Sequence, residues 1–239
     1  SGLGYAMQIN NALRPHLKNI SGVKLRHILD FTRVAYAKAE NLFSTDGQQI
    51  QLVTHGAFEH DIDVDGYVIS GNSAGFLSIA NAGASFGEKT KRFTLRNANG
   101  AGSFNTVNAT QTKLIDCRSR SNGSGSRRIG QDTELVRTKF IVGGSIYLQG
   151  RTDRAQGDIV VRGGEIPNAV FLDFEETLRV FDNAKCGWFS TDASSTVDPK
   201  SIFIEGGECY SDKVTVLKVV KSVIFNSVIL STDSDSSSK

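Results

Sequence analysis

Apolar and polar residues alternate along most of this chain. VKLRHI from Val23, DIDVDG from Asp61, RFTLRNANG from Arg92 and TKLIDCRS from Thr112 share the pattern. So do TELVRTKF from Thr133, GDIVVRGGE from Gly157, ETLRVFDN from Glu176, KSIFIEGGE from Lys200 and KSVIFNS from Lys221. A period of two puts successive side chains on opposite faces, which is the signature of a strand with one face buried. Most segments end in Gly, Asn, Ser or Asp, residues that turn the chain. Only Val34 to Phe43, which is rich in Ala, fits a helix as well as it fits a strand.

The segments also repeat. Phe93/Leu95, Ile159/Val161, Leu178/Val180, Ile202/Ile204 and Val223/Phe225 occupy matching places, and VRGGE at Val161 returns as IEGGE at Ile204. From Phe93 onward the spacing is roughly 19 to 24 residues, the size of one solenoid coil. A single coil of two or three short strands cannot bury its apolar face alone. Stacking coils about 4.8 Å apart makes parallel sheets around one continuous core. The rival is a β-sandwich, but that fold should show hairpin signals about every 8–12 residues, roughly half the spacing seen here. The expected fold is therefore an all-β, single-stranded, right-handed parallel β-helix of about ten coils. Residues 1–22 are expected as a lead-in segment or cap, 23–230 as the helix, and 231–239 as a flexible polar tail.

Composition narrows the setting. The chain has 239 residues, enough to bury a large core, and a net charge of +2, which argues against a global field for nucleic acid. No apolar run reaches the roughly 18 residues of a spanning helix, so no membrane insertion is expected. The start SGLGYAMQIN lacks the basic and apolar regions of a signal peptide, and it reads as a processed or excised beginning. Three cysteines, Cys117, Cys186 and Cys209, have no short spacing. They read as free buried thiols, with Cys186 and Cys209 one repeat apart and able to stack in the core.

The candidate chemistry begins at THGAFEHDIDVDGY, Thr54 to Tyr67. With Phe58, Ile62 and Val64 facing inward, Glu59, Asp61, Asp63 and Asp65 form one outward row. Neighbours in such a row lie about 6.5–7 Å apart, from the strand rise. That separation suits the acid and base of an inverting glycoside hydrolase, which sit about 6.5–9.5 Å apart. Asp61 and Asp63 are the expected pair, Glu59 and Asp65 the substitutes, with His55 and His60 placed to orient a sugar. The wet side of a solenoid strand explains the same alternation without chemistry. Asp61, Asp63, Asp65 and Gly66 also copy the start of a calcium loop, but its twelfth position is Asn72 instead of Glu. No metal or cofactor is expected. Arg118, Arg120, Arg127 and Arg128 surround a Ser/Gly-rich loop, where guanidinium forks could grip an acidic polymer. Asp153, Asp158, Glu165, Asp173, Glu175 and Glu176 form a second acidic group, and Glu165 and Glu208 occupy equivalent places two coils apart. Trp188, the single Trp, is a candidate sugar platform, with Tyr67, Tyr147 and Tyr210 weaker ones. No GxSxG, HExxH or GxxxxGK[ST] motif occurs.

RFTLRNANG, TKLIDCRS and KSIFIEGGE resemble the strands of pectate-lyase-like right-handed parallel β-helices. Within that group, HGAFEHDIDVDGYVISGN resembles segments of bacteriophage tailspikes and neck-appendage proteins. The resemblance runs from about Val23 to Leu230. It implies a virion protein assembled in the host cytoplasm, a homotrimer beside other tail proteins, and bacterial surface polysaccharide as the partner. A glycoside hydrolase or polysaccharide lyase is then one reading. A non-catalytic receptor-binding or structural module is the other.

Overall fold

A computed structural model describes residues 4–55, 58–71, 75–79, 90–121, 127–142, 145–150, 157–187, 189–197, 199–210, 222–226 and 229–231. The described chain is all β, and every strand pairs in parallel with the coil before or after it. The result is a right-handed parallel β-solenoid. One column stacks nine strands, from Tyr5–Leu13 and His27–Ala35 to Phe189–Thr191, which marks eight complete turns. A longer column stacks ten, from His16–Val23 through Lys38–Thr45, His60–Ser70 and Thr90–Ala101 to Ser222–Asn226. The stack makes about eight turns, fewer than the ten coils expected. The segment expected as lead-in or cap carries strand Tyr5–Leu13 and most of His16–Val23, in register with the next coil. Its apolar residues Ile9, Leu17 and Ile20 are only partly buried. Of the polar tail, residues 232–239 lie outside the described residues.

The register explains the repeat. Leu17, Ala39, Val64, Leu95, Leu114, Leu135, Val161, Val180 and Ile204 follow one another as Cα partners through nine rungs, and Phe225 pairs at the tenth. From Ala39 to Ile204 every member is buried. Each buried aliphatic side chain contributes about 1.5–3 kcal/mol, so no rung holds the stack alone. The apolar pairs matched in the sequence, Ile159/Val161, Leu178/Val180 and Ile202/Ile204, fall on neighbouring rungs. A second internal stack is aromatic: Tyr67, Phe76 and Phe104 lie with ring centroids 5.0 and 6.3 Å apart. Tyr67 is fully buried, and its hydroxyl donates to the Phe76 carbonyl at 2.8 Å. That placement removes Tyr67 as a sugar platform.

The corners are made by single residues with positive φ. In the long column Asn19, Asn41, Gly66, Asn97, Asp116, Arg137, Gly163, Asp182 and Gly206 occupy successive corners. Asn, Asp and Gly dominate because they tolerate the left-handed region best. A second corner carries Arg14, Tyr36, Asp61, Arg92, Gln111 and Asp132. The helical alternative for Val34 to Phe43 is not realised. Strand His27–Ala35 turns at Tyr36 into strand Lys38–Thr45, with Val34, Ala37 and Ala39 buried. Small Ala side chains fill a tight corner there, and cross-coil pairing overrides their helical preference.

Candidate functional site

The acidic run opens on a correction. Phe58 was expected inside and Glu59 outside, but Phe58 is exposed and Glu59 is fully buried. Phe58 and Asp61 both have positive φ, and each such residue breaks strict alternation. Glu59 closes contacts between coils. Its Oε1 accepts the Arg33 N–H at 2.9 Å, and its Oε2 accepts the Thr90 hydroxyl at 3.2 Å. Glu59 is thus not part of the outward row.

The other three acids are outward and partly exposed, and each meets a partner from the following coil. Asp61 receives both Nε and Nη2 of Arg92 at 2.7 Å and also the His60 ring at 2.8 Å. The Arg92 guanidinium, outweighing partial burial, holds the Asp61 carboxyl well below the usual carboxylate range. A proton donor to a glycosidic oxygen needs the opposite shift. Asp63 accepts from Arg96 Nη1 at 2.6 Å, and Asp65 accepts from Asn97 at 2.7 Å. His55 sits 2.7 Å from the buried Asp30, whose carboxylate raises the imidazole pKa against the effect of burial. His60 packs edge-on to Tyr36 at 5.0 Å.

The four arginines do not form one patch. Arg118 and Arg120 are exposed on strand Arg118–Ser121, beside Lys139 and Ile141. Arg127 and Arg128 begin strand Arg127–Gly130, which belongs to the nine-strand column, whereas Arg118–Ser121 does not. Arg128 donates to Gln149 at 3.2 Å. Trp188, Asp153 and the loop 122–126 lie outside the described residues. Glu165 and Glu208 are two coils apart as expected, with Lys185 between them in register.

A shallow concavity lies elsewhere on the described surface. A groove of about 530 Å³ crosses four successive rungs and is lined by Arg92, Gln111, Lys113, Asp132, Glu134, Asp158 and Arg162, among others. Four rungs span about 14 Å from first to last at the strand spacing. Glu134 accepts from Lys113 at 2.7 Å and Arg162 at 3.0 Å. Burial alone would push the Glu134 carboxyl up, but these two cations hold it below its ordinary range. Asp158 accepts from Arg179 at 2.6 Å, and Asp132 accepts the backbone N–H of Gln111 at 2.8 Å. The charges are therefore fixed in place before any ligand arrives.

The groove leads to aromatic residues that sequence reasoning passed over. Arg162 Cζ sits 5.1 Å from the centroid of the Phe181 ring, and Phe181 packs against Phe203 at 5.8 Å. Both rings are partly exposed, and Ile224 on the next rung is exposed. The signal was available: Leu178/Val180 and Ile202/Ile204 face inward, so Phe181 and Phe203 must face outward. A strip of fixed charges ending in flat apolar rings can hydrogen-bond hydroxyls and carboxylates at one end and stack on sugar C–H faces at the other. Among the described residues no three His, Cys, Asp or Glu side chains converge to hold a metal ion. No family model matches the chain, and neither does any curated protein or solved structure.

Proposed function

We propose that this chain is a glycan-binding β-solenoid of the phage tailspike or appendage kind, which holds bacterial surface polysaccharide along its outer face without cutting it. The observation that carries this reading is the groove from Arg92 to Arg162, with its pre-paired charges and the adjoining Phe181–Phe203 platform. A rigid parallel sheet supplies both, so little ordering is lost on binding. Receptor binding is favoured over depolymerisation because Asp61 and Asp63 are each held by an arginine, and the shift at Asp61 opposes a proton donor. In this reading the protein stands on the virion as a trimer beside other tail proteins.

The test is binding of the purified chain to polysaccharides isolated from bacterial surfaces, with reducing ends and unsaturated products measured in parallel. Binding without chain shortening is expected. Phe203→Ala with Phe181→Ala should weaken it roughly tenfold, about 1.4 kcal/mol. Affinity that survives this change together with Lys113→Ala and Arg162→Ala would remove the groove as the site. Chain shortening abolished by Asp61→Asn or Asp63→Asn would establish the hydrolase or lyase reading instead.

A further inference from the structure

Cys186 and Cys209 are Cα partners on adjacent parallel strands, Lys185–Cys186 and Glu208–Tyr210. Residues directly opposed in neighbouring strands lie about 4.8 Å apart, within the roughly 4.4–6.8 Å Cα window of a disulfide. Both thiols are free and buried, Cys186 completely and Cys209 at the margin with 9% exposure. They share an inward face as directly opposed register partners. Ile166 lies beneath Cys186 in register. Beside them Lys185 and Glu208 already tie the same two coils together at 3.3 Å. The third cysteine has no such neighbour. Cys117 donates to the carbonyls of Leu95 and Ile115, and burial pushes its pKa up to about 12.

We propose that Cys186 and Cys209 are a disulfide-forming pair that locks the C-terminal coils together when the protein meets a small-molecule disulfide. The chemistry is two exchanges. The Cys209 thiolate attacks the reagent disulfide, forming a mixed disulfide and expelling one thiolate. Cys186 then attacks the Cys209 sulfur, its proton passing to the second thiolate as that group is expelled. Two protein thiols and one reagent disulfide thus become one protein disulfide and two reagent thiols. Cys209 reacts first because it is nearer the surface, while Cys186 is completely buried. The bond would close a loop of 22 intervening residues, 187–208, which spans one turn of the stack. Each coil of such a stack contacts only its neighbours, so a covalent tie between two adjacent coils opposes their separation.

The experiment treats the full chain with oxidised glutathione and quenches with acid. Mass spectrometry should show the loss of two hydrogen atoms and a Cys186–Cys209 cross-linked peptide. One thiol, Cys117, should remain open to alkylation in denaturant. The thermal midpoint should rise by roughly 5–15 °C, the range expected for closing a loop of this size. Cys186→Ser or Cys209→Ser should each abolish the link and the shift, whereas Cys117→Ser should leave both. Three alkylatable thiols after treatment, a glutathione adduct that never resolves, a link through Cys117, or a cross-linked chain with an unchanged midpoint would each overturn the proposal.

Discussion

Replacing Glu59 separates its two readings, because a catalytic acid and a buried strut fail differently. In Glu59→Ala the Arg33 N–H loses a charged acceptor at 2.9 Å, worth about 1.5–3 kcal/mol. The Thr90 hydroxyl loses a longer contact at 3.2 Å, worth about 1 kcal/mol. One buried methylene, Cγ, adds about 0.8 kcal/mol. The sum is about 3–5 kcal/mol, in a site with no exposure through which water could replace the carboxylate. At roughly 2–4 °C per kcal/mol for a chain of this size, the thermal midpoint should fall by at least about 6 °C. Glu59→Gln keeps one acceptor oxygen and should cost about 1–2 kcal/mol. The assay is urea and thermal unfolding followed by far-UV circular dichroism, with amide exchange at Arg33 as the local readout. The loss should concentrate in the N-terminal coils, since each coil senses only its neighbours. An Ala variant with an unchanged midpoint and undiminished Arg33 protection would refute the strut reading. A Gln variant equally stable but unable to shorten a polysaccharide would restore the catalytic one.

Further tests address the stack, its closest backbone approach and the acid row. Leu135→Ala removes one member of the buried ladder between Leu114 and Val161, where strand spacing prevents collapse. It should cost about 3–5 kcal/mol by urea unfolding. At Gly150 an added Cβ would lie 1.6 Å from the Asp173 carbonyl oxygen. Gly150→Ala should therefore destabilise the chain, against the roughly 0.4–1 kcal/mol gain of an unstrained Gly→Ala change, and raise amide exchange around Asp173. Asp61 is more acidic folded than unfolded, so its ion pair with Arg92 stabilises fully above its usual value of 3.8 and is lost as pH falls through the folded value. Asp61→Asn should thus be less stable than the parent at pH 7, by about 1 kcal/mol for a largely solvated pair, and converge with it in acid. A gap that persists or widens in acid would show that the ion pair is not its cause.

The alternation and the repeat were determined by the sequence alone, and they carried the fold. Leu178/Val180 and Ile202/Ile204 could be aligned by eye because a buried face must recur once per coil. The stacking of Cys186 on Cys209 followed from the same spacing. What failed was local. Phe58 and Glu59 exchanged sides because single residues of positive φ reset the alternation, and nothing in EHDIDVD marks Asp61 as one of them. The partners of the acids were also hidden. Arg92 and Arg96 lie 31 and 33 residues beyond Asp61 and Asp63, and only stacking brings them within hydrogen-bonding distance. The groove is hidden for the same reason: its lining comes from four rungs, and no segment of the chain contains it. Periodicity tells which way a side chain points. Which side chains meet depends on the length of the turns between strands, and only the closed stack decides that.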